Sequence, residues 1–138
     1  MRSGKSFWIE LQGGADNAMG IALKKAVEMA SIKNCGIMIF VDEPKNIKNI
    51  AICDKCNQQL FEQLQSDGKT IYEGVEISTC TKKNSPTHFS GVGIIAYGSY
   101  DLMRVVQEIT GDLDIILVPQ LLDEGKLWAA AYHAEKII

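Results

Sequence analysis

Gly91-Val92-Gly93-Ile94-Ile95-Ala96-Tyr97-Gly98-Ser99-Tyr100-Asp101 is the stretch whose reading decides the fold. Val92, Ile94, Ile95 and Ala96 form an apolar run with little alternation. That pattern belongs to a strand buried on both faces, as in parallel sheets covered by helices. Gly98 supplies a residue that takes positive φ without steric cost. Ser99 is a good N-cap, and Asp101 falls in the first turn, where a carboxylate meets the positive end of the helix dipole. Leu102, Met103, Val105, Val106 and Ile109 recur at helical spacing, and Gly111 reads as the stop. Asp114-Ile115-Ile116-Leu117-Val118-Pro119 is a second buried strand, closed by a proline that has no donor for the ladder. Strand, helix and strand within about thirty residues make a βαβ unit.

Working outward, Phe7 to Gln12 alternates like a half-covered strand near an edge. Asp16 is a candidate N-cap for a helix reaching about Lys33, with Asn34 and Gly36 as its exit. Gly36 to Val41 is a wholly apolar strand that ends in Asp42-Glu43-Pro44-Lys45. The short run Ile50-Ala51-Ile52 predicts a third strand, followed after Cys53-Asp54-Lys55-Cys56 by a helix through Leu60, Phe61 and Leu64. Thr70 to Thr81 alternates over its whole length and predicts one long strand with an exposed face. The segment Lys82 to His88 reads as a polar loop. After Pro119, Asp123 is the candidate cap of a last helix that runs to the end of the chain. The expected product is one three-layer, Rossmann-like α/β domain over residues 1–138, with a mainly parallel sheet and an edge strand free to run antiparallel.

Composition sets limits on function. The chain has 138 residues, 46% of them hydrophobic and 22% charged, with a net charge of −3. That length supports a substantial core. The acidic balance, without a basic tract, gives no electrostatic ground for nucleic acid or an anionic membrane as partner. No apolar run approaches the roughly 20 residues of a membrane span. The polar start lacks the apolar region of a signal peptide, so the expected location is cytoplasmic.

Three groups of residues carry chemistry. The first is the set of loops that follow strands: Gly13, Gly14 and Asp16; Asp42 and Glu43; Gly98 and Ser99; and Gln120. In a parallel sheet these share one rim, where open α/β folds place ligands. Glycine amides at a helix start suit a phosphate or carboxylate, and the acidic and amide side chains suit a sugar or base. The expectation is a nucleotide-like or other phosphorylated small molecule, with Asp16 or Asp42 as base or metal ligand if a reaction occurs. Neither standard nucleotide fingerprint is present, because Gly13-Gly14 lacks both G-x-G-x-x-G and a following Gly-Lys-Ser/Thr. Each loop is also ordinary turn chemistry, and no cofactor is identified by these patterns.

The second group is the Cys53-x-x-Cys56 pair. It reads as a redox pair if a thiolate sits at a helix start, as a metal site if Cys80 and His88 join it, or as two plain cysteines. The third is the last helix, whose Trp128, Ala131 and Tyr132 are as ready to meet a second subunit, in a homo-oligomer, as the domain's own sheet. An assembly subunit is therefore a further alternative.

Overall fold

The computed structural model describes residues 2–10, 18–53, 58–119 and 122–137. In chain order the elements are β1 (Arg2–Ser3), β2 (Ser6–Trp8), α1 (Ala18–Lys33), β3 (Ile37–Val41), α2 (Lys45–Cys53), α3 (Gln58–Asp67), β4 (Lys69–Tyr72), β5 (Val75–Thr81), β6 (Gly91–Ala96), α4 (Tyr100–Gln107), β7 (Gly111–Val118), α5 (Leu122–Tyr132) and β8 (Glu135–Lys136). Seven strands line up as β4-β5-β3-β6-β7-β2-β8, and β1 pairs with the start of β7. The β2, β3, β5, β6, β7 and β8 pairings are parallel, whereas β4 runs antiparallel to β5 at the edge.

The apolar runs explain the layers. In β6, Val92 and Ile94 face one cluster with α1, α2 and α3, while Ile95 faces another with α4 and α5. Both faces are dry, as an unbroken Val/Ile strand requires. Each such side chain contributes about 1.5–3 kcal/mol through burial. Helices on both faces of a mostly parallel sheet give the three-layer, Rossmann-like α/β fold.

The connections then fix where loops meet. β3 passes the chain to α2 on the first face, and its neighbour β6 passes it to α4 on the opposite face. Neighbouring strands that send the chain to opposite faces leave a crevice at their carboxyl ends. The same reversal occurs between β2, which leads to α1, and β7, which leads to α5.

Several expectations are corrected. Ile50-Ala51-Ile52 is not a strand but part of α2. Ile47 and Ile50, three apart, are buried at 3% and 5% exposure with exposed Lys48 between them. That is helical spacing, which the β-branched run concealed. Thr70 to Thr81 is a hairpin. Glu73 and Gly74 take φ of 51° and 81°, the two positive values that a tight two-residue turn demands. At the central turn the positive φ falls on Tyr97, at 51°, and not on Gly98. α4 stops at Gln107, with Glu108 as C-cap. Gly111 opens β7 instead of ending the helix.

β2 is the penultimate strand, between β7 and the edge strand β8, so it is near an edge as expected, but it is covered on both faces and not half-covered, with Phe7 and Trp8 both 8% exposed. The last helix ends at Tyr132. His133 follows at φ 52°, and the Ala134 amide donates to the Ala129 carbonyl at 2.9 Å. This is a left-handed helix stop built without glycine, and it frees Glu135–Lys136 to join the sheet.

Candidate functional site

Asp42 and Ser99 meet across the β3/β6 crevice. The Ser99 amide donates to Asp42 Oδ2 at 2.8 Å, and the Ser99 hydroxyl donates to Asp42 Oδ1 at 2.5 Å. Ser99 Oγ also accepts the Leu102 amide at 3.3 Å, as an N-cap does. The strand order makes this possible, because β3 and β6 are neighbours in register from Ile37↔Val92 to Phe40↔Ile95. The positive end of α4 has therefore attracted an anion, and that anion is the protein's own carboxylate. Gly98 is buried for packing. A Cβ there would stand 2.6 Å from Leu102 Cδ2 and 2.8 Å from Ile95 Cγ2. Replacing Asp42 by alanine leaves the Ser99 amide and hydroxyl without this acceptor. The expected cost is about 2 kcal/mol in chemical denaturation, with no change in the denaturant slope.

Beside Asp42 lies a cleft of about 270 Å³. Asp42 and Glu43 line it from the end of β3, Lys45 from the start of α2, and Thr81, Lys82 and Lys83 from the end of β5. Two asparagines shape its walls. Asn84 Oδ1 accepts the Thr81 amide at 2.7 Å and the Thr81 hydroxyl at 2.9 Å, which holds the Lys82-Lys83 turn. Asn46 Oδ1 accepts the Glu43 amide at 2.8 Å, which holds the turn into α2. Lys82 Nζ stands 3.8 Å from Asp42 Oδ1, and Lys45 Nζ stands 3.2 Å from Glu43 Oε2. The cleft thus brings three lysines beside two carboxylates, with Lys45 and Lys82 each within ion-pair distance of one of them. Lys82 and Lys83 fall in the segment expected to be a polar loop, and Lys45 in the polar stretch that ends the Gly36–Val41 strand. Their position directly after β3 and β5 was the available signal.

The other expected site residues divide cleanly. Gly13, Gly14, Asp16, Gln120 and Cys56 lie outside the described residues. Asp42, Glu43, Gly98 and Ser99 come together at the rim as expected. Cys53 closes α2, so it ends a helix where a strand was expected. Cys80 is 7% exposed, with its Sγ 3.4 Å from Met38 Sδ. Burial pushes its thiol up to about 12, so at neutral pH it is protonated and a poor nucleophile or metal ligand.

His88 is exposed and touches Thr110 Oγ1 through Nδ1 at 3.1 Å. It is level with Thr110, before β7 begins, whereas Cys80 is level with Phe40, Ile95 and Leu117. From residue 110 to residue 117 the sheet advances roughly 23 Å at about 3.3 Å per residue. Cys80 and His88 therefore do not share a metal ion. Among the described residues no group of three or more His, Cys, Asp and Glu side chains is placed to hold one.

Trp128 and Ala129 pack on the domain's own sheet at 5% and 8% exposure, and Leu127 and Tyr132 are exposed large apolar side chains of α5. Among the described residues no helix is long and apolar enough to cross a membrane. Compared with protein-family models, curated proteins and solved structures, the chain matches none.

Proposed function

We propose that this chain binds a phosphorylated small molecule, nucleotide-like in its charge, at the carboxyl rim of the sheet, with Lys45, Lys82 and Lys83 as the anion's partners. The observation that carries the reading is the clustering of three lysines around one cleft at strand ends, on a chain whose net charge is −3. A phosphate there gains charge-assisted hydrogen bonds from Lys83 and from Lys45 and Lys82, whose ion pairs with Glu43 and Asp42 it would share. Glu43, an exposed residue of the cleft lining, suits ribose or other sugar hydroxyls. In this reading Asp42 positions the rim by holding Ser99. The proposal is one of binding, and no reaction is assigned to the site.

Titration calorimetry at low salt with inorganic pyrophosphate and with ADP tests it. Lys82→Ala/Lys83→Ala is expected to weaken binding by about 10- to 100-fold, given about 1.5–3 kcal/mol for a hydrogen bond to a charged group. Both side chains are on a surface turn, so the melting temperature is expected to stay unchanged. Wild-type affinity in the double variant, or no binding by the wild type at about 10 mM ligand, overturns the reading.

A further inference from the structure

The two ion pairs of the lysine cleft are built differently. The Asp42 carboxylate is fixed in place. Oδ2 takes the Ser99 amide at 2.8 Å and Oδ1 takes the Ser99 hydroxyl at 2.5 Å, while Ser99 is itself tied into the start of α4 through the Leu102 amide. From that position Asp42 Oδ1 stands 3.8 Å from Lys82 Nζ. The side chains of Asp42 and Lys82 are 20% and 35% exposed, against 57% and 75% for Glu43 and Lys45. An exposed pair is screened by water and salt and separates at little cost. Partly buried charges act on each other through less water. Glu43 can therefore swing into solvent when a ligand arrives, whereas Ser99 keeps Asp42 at the cleft wall.

We propose that Asp42 is a built-in competitor for Lys82, and that its fixed carboxylate holds down the cleft's affinity for phosphate-bearing ligands. This rests on the reading of the cleft as a phosphate site. A phosphate that takes Lys82 must share it with Asp42 and must accept a second negative charge at close range. Like charges brought together at a binding surface weaken association. Asp42 thus has two effects of opposite sign. It stabilises the fold by holding Ser99 and the start of α4, and it weakens the binding that the same rim supports. A residue that only shaped the rim would give losses of both kinds when replaced.

Titration calorimetry with inorganic pyrophosphate at low salt, on four proteins, tests this. They are the wild type, Asp42→Asn, Lys82→Ala and the Asp42→Asn/Lys82→Ala double variant, each checked for folding by circular dichroism. The amide in Asp42→Asn still offers Ser99 an acceptor but carries no charge. Asp42→Asn is expected to bind pyrophosphate about three- to tenfold more tightly than the wild type, although it unfolds at lower denaturant. Asp42→Ala is expected to show the same gain at a larger cost in stability. In the Lys82→Ala background most of the gain should vanish, because the group competed for is gone. A folded Asp42→Asn or Asp42→Ala that binds no more tightly than the wild type overturns the proposal and leaves the cleft reading standing. A gain as large in the Lys82→Ala background overturns it too. No binding by the wild type or by either Asp42 variant removes the cleft reading and this inference with it.

Discussion

Truncating Phe40 to alanine is expected to cost about 3–5 kcal/mol of unfolding free energy, among the largest effects of any single change in this chain. Phe40 is 0% exposed and anchors the face of the sheet covered by α4 and α5. Its ring occupies the space that Gly93 leaves open on the neighbouring strand. A Cβ on Gly93 would stand 2.7 Å from Phe40 Cε2. The two positions should therefore be coupled. Gly93→Ala alone forces the ring to shift and is expected to destabilise by about 1–3 kcal/mol. In the Phe40→Ala background the same change enters a cavity, so most of that cost should vanish. A double-mutant cycle in chemical denaturation measures the coupling directly. Additive losses would mean that the ring and Gly93 are not in contact.

The second large effect is expected at Asp114. β1 and β2 are separated by Gly4, at φ 118°, and Lys5. At that break the Lys5 amide donates to Asp114 Oδ1 at 2.8 Å, and Lys33 at the end of α1 reaches Oδ2 at 3.1 Å. One nearly buried carboxylate thus fastens the first strand and the first helix to β7. Asp114→Ala leaves the Lys5 amide without its acceptor and Lys33 with only the exposed Asp112 at 3.3 Å. The expected loss is about 2–4 kcal/mol. Asp114→Asn keeps an acceptor but not the charge, and should lose roughly half as much.

The pH dependence supplies a second reading of the same contact. Desolvation acts to lower the Lys33 pKa, but the hydrogen bond and charge of Asp114, then those of Asp112, outweigh it and hold the ammonium above its ordinary value of 10.5. A folded value above the unfolded one stabilises the protein fully below that value and is lost as the pH rises through the folded one. The wild type should therefore lose stability at alkaline pH faster than Asp114→Ala does.

The parts of the fold written in local chemistry were legible. Val92 to Ala96 and Ile115 to Val118 read as strands covered on both faces, and both are. Ser99 caps α4 as its position before an amphipathic run implied. Asn34, at φ 55°, ends α1. The parts set by tertiary context were not. Ile47 and Ile50 belong to a helix, but β-branched residues in a six-residue window fit a strand equally well. Glu73-Gly74 makes a tight turn without the usual Asn-Gly or Asp-Gly signal, so two strands read as one. His133 ends α5 in a conformation that glycine or asparagine ordinarily signals.

The site follows the same division. Convergence of the loops after β3 and β6 followed from a parallel sheet. The contact of Asp42 with Ser99 depends on strand order, which periodicity does not encode. The value of Lys82 and Lys83 depends on β5 being the other neighbour of β3, which was equally hidden.

Amide chemical-shift mapping of the isotope-labelled protein during titration with ADP tests the central claim most directly. Binding at the lysine cleft predicts that the largest shifts cluster at Lys45, Thr81, Lys82, Lys83 and Asn84, with smaller ones at Ser99, and that they saturate together with one dissociation constant. Shifts centred instead on the amino edge of the sheet, around Lys5, Lys33 and Asp112, would contradict it. So would uniform small shifts that never saturate.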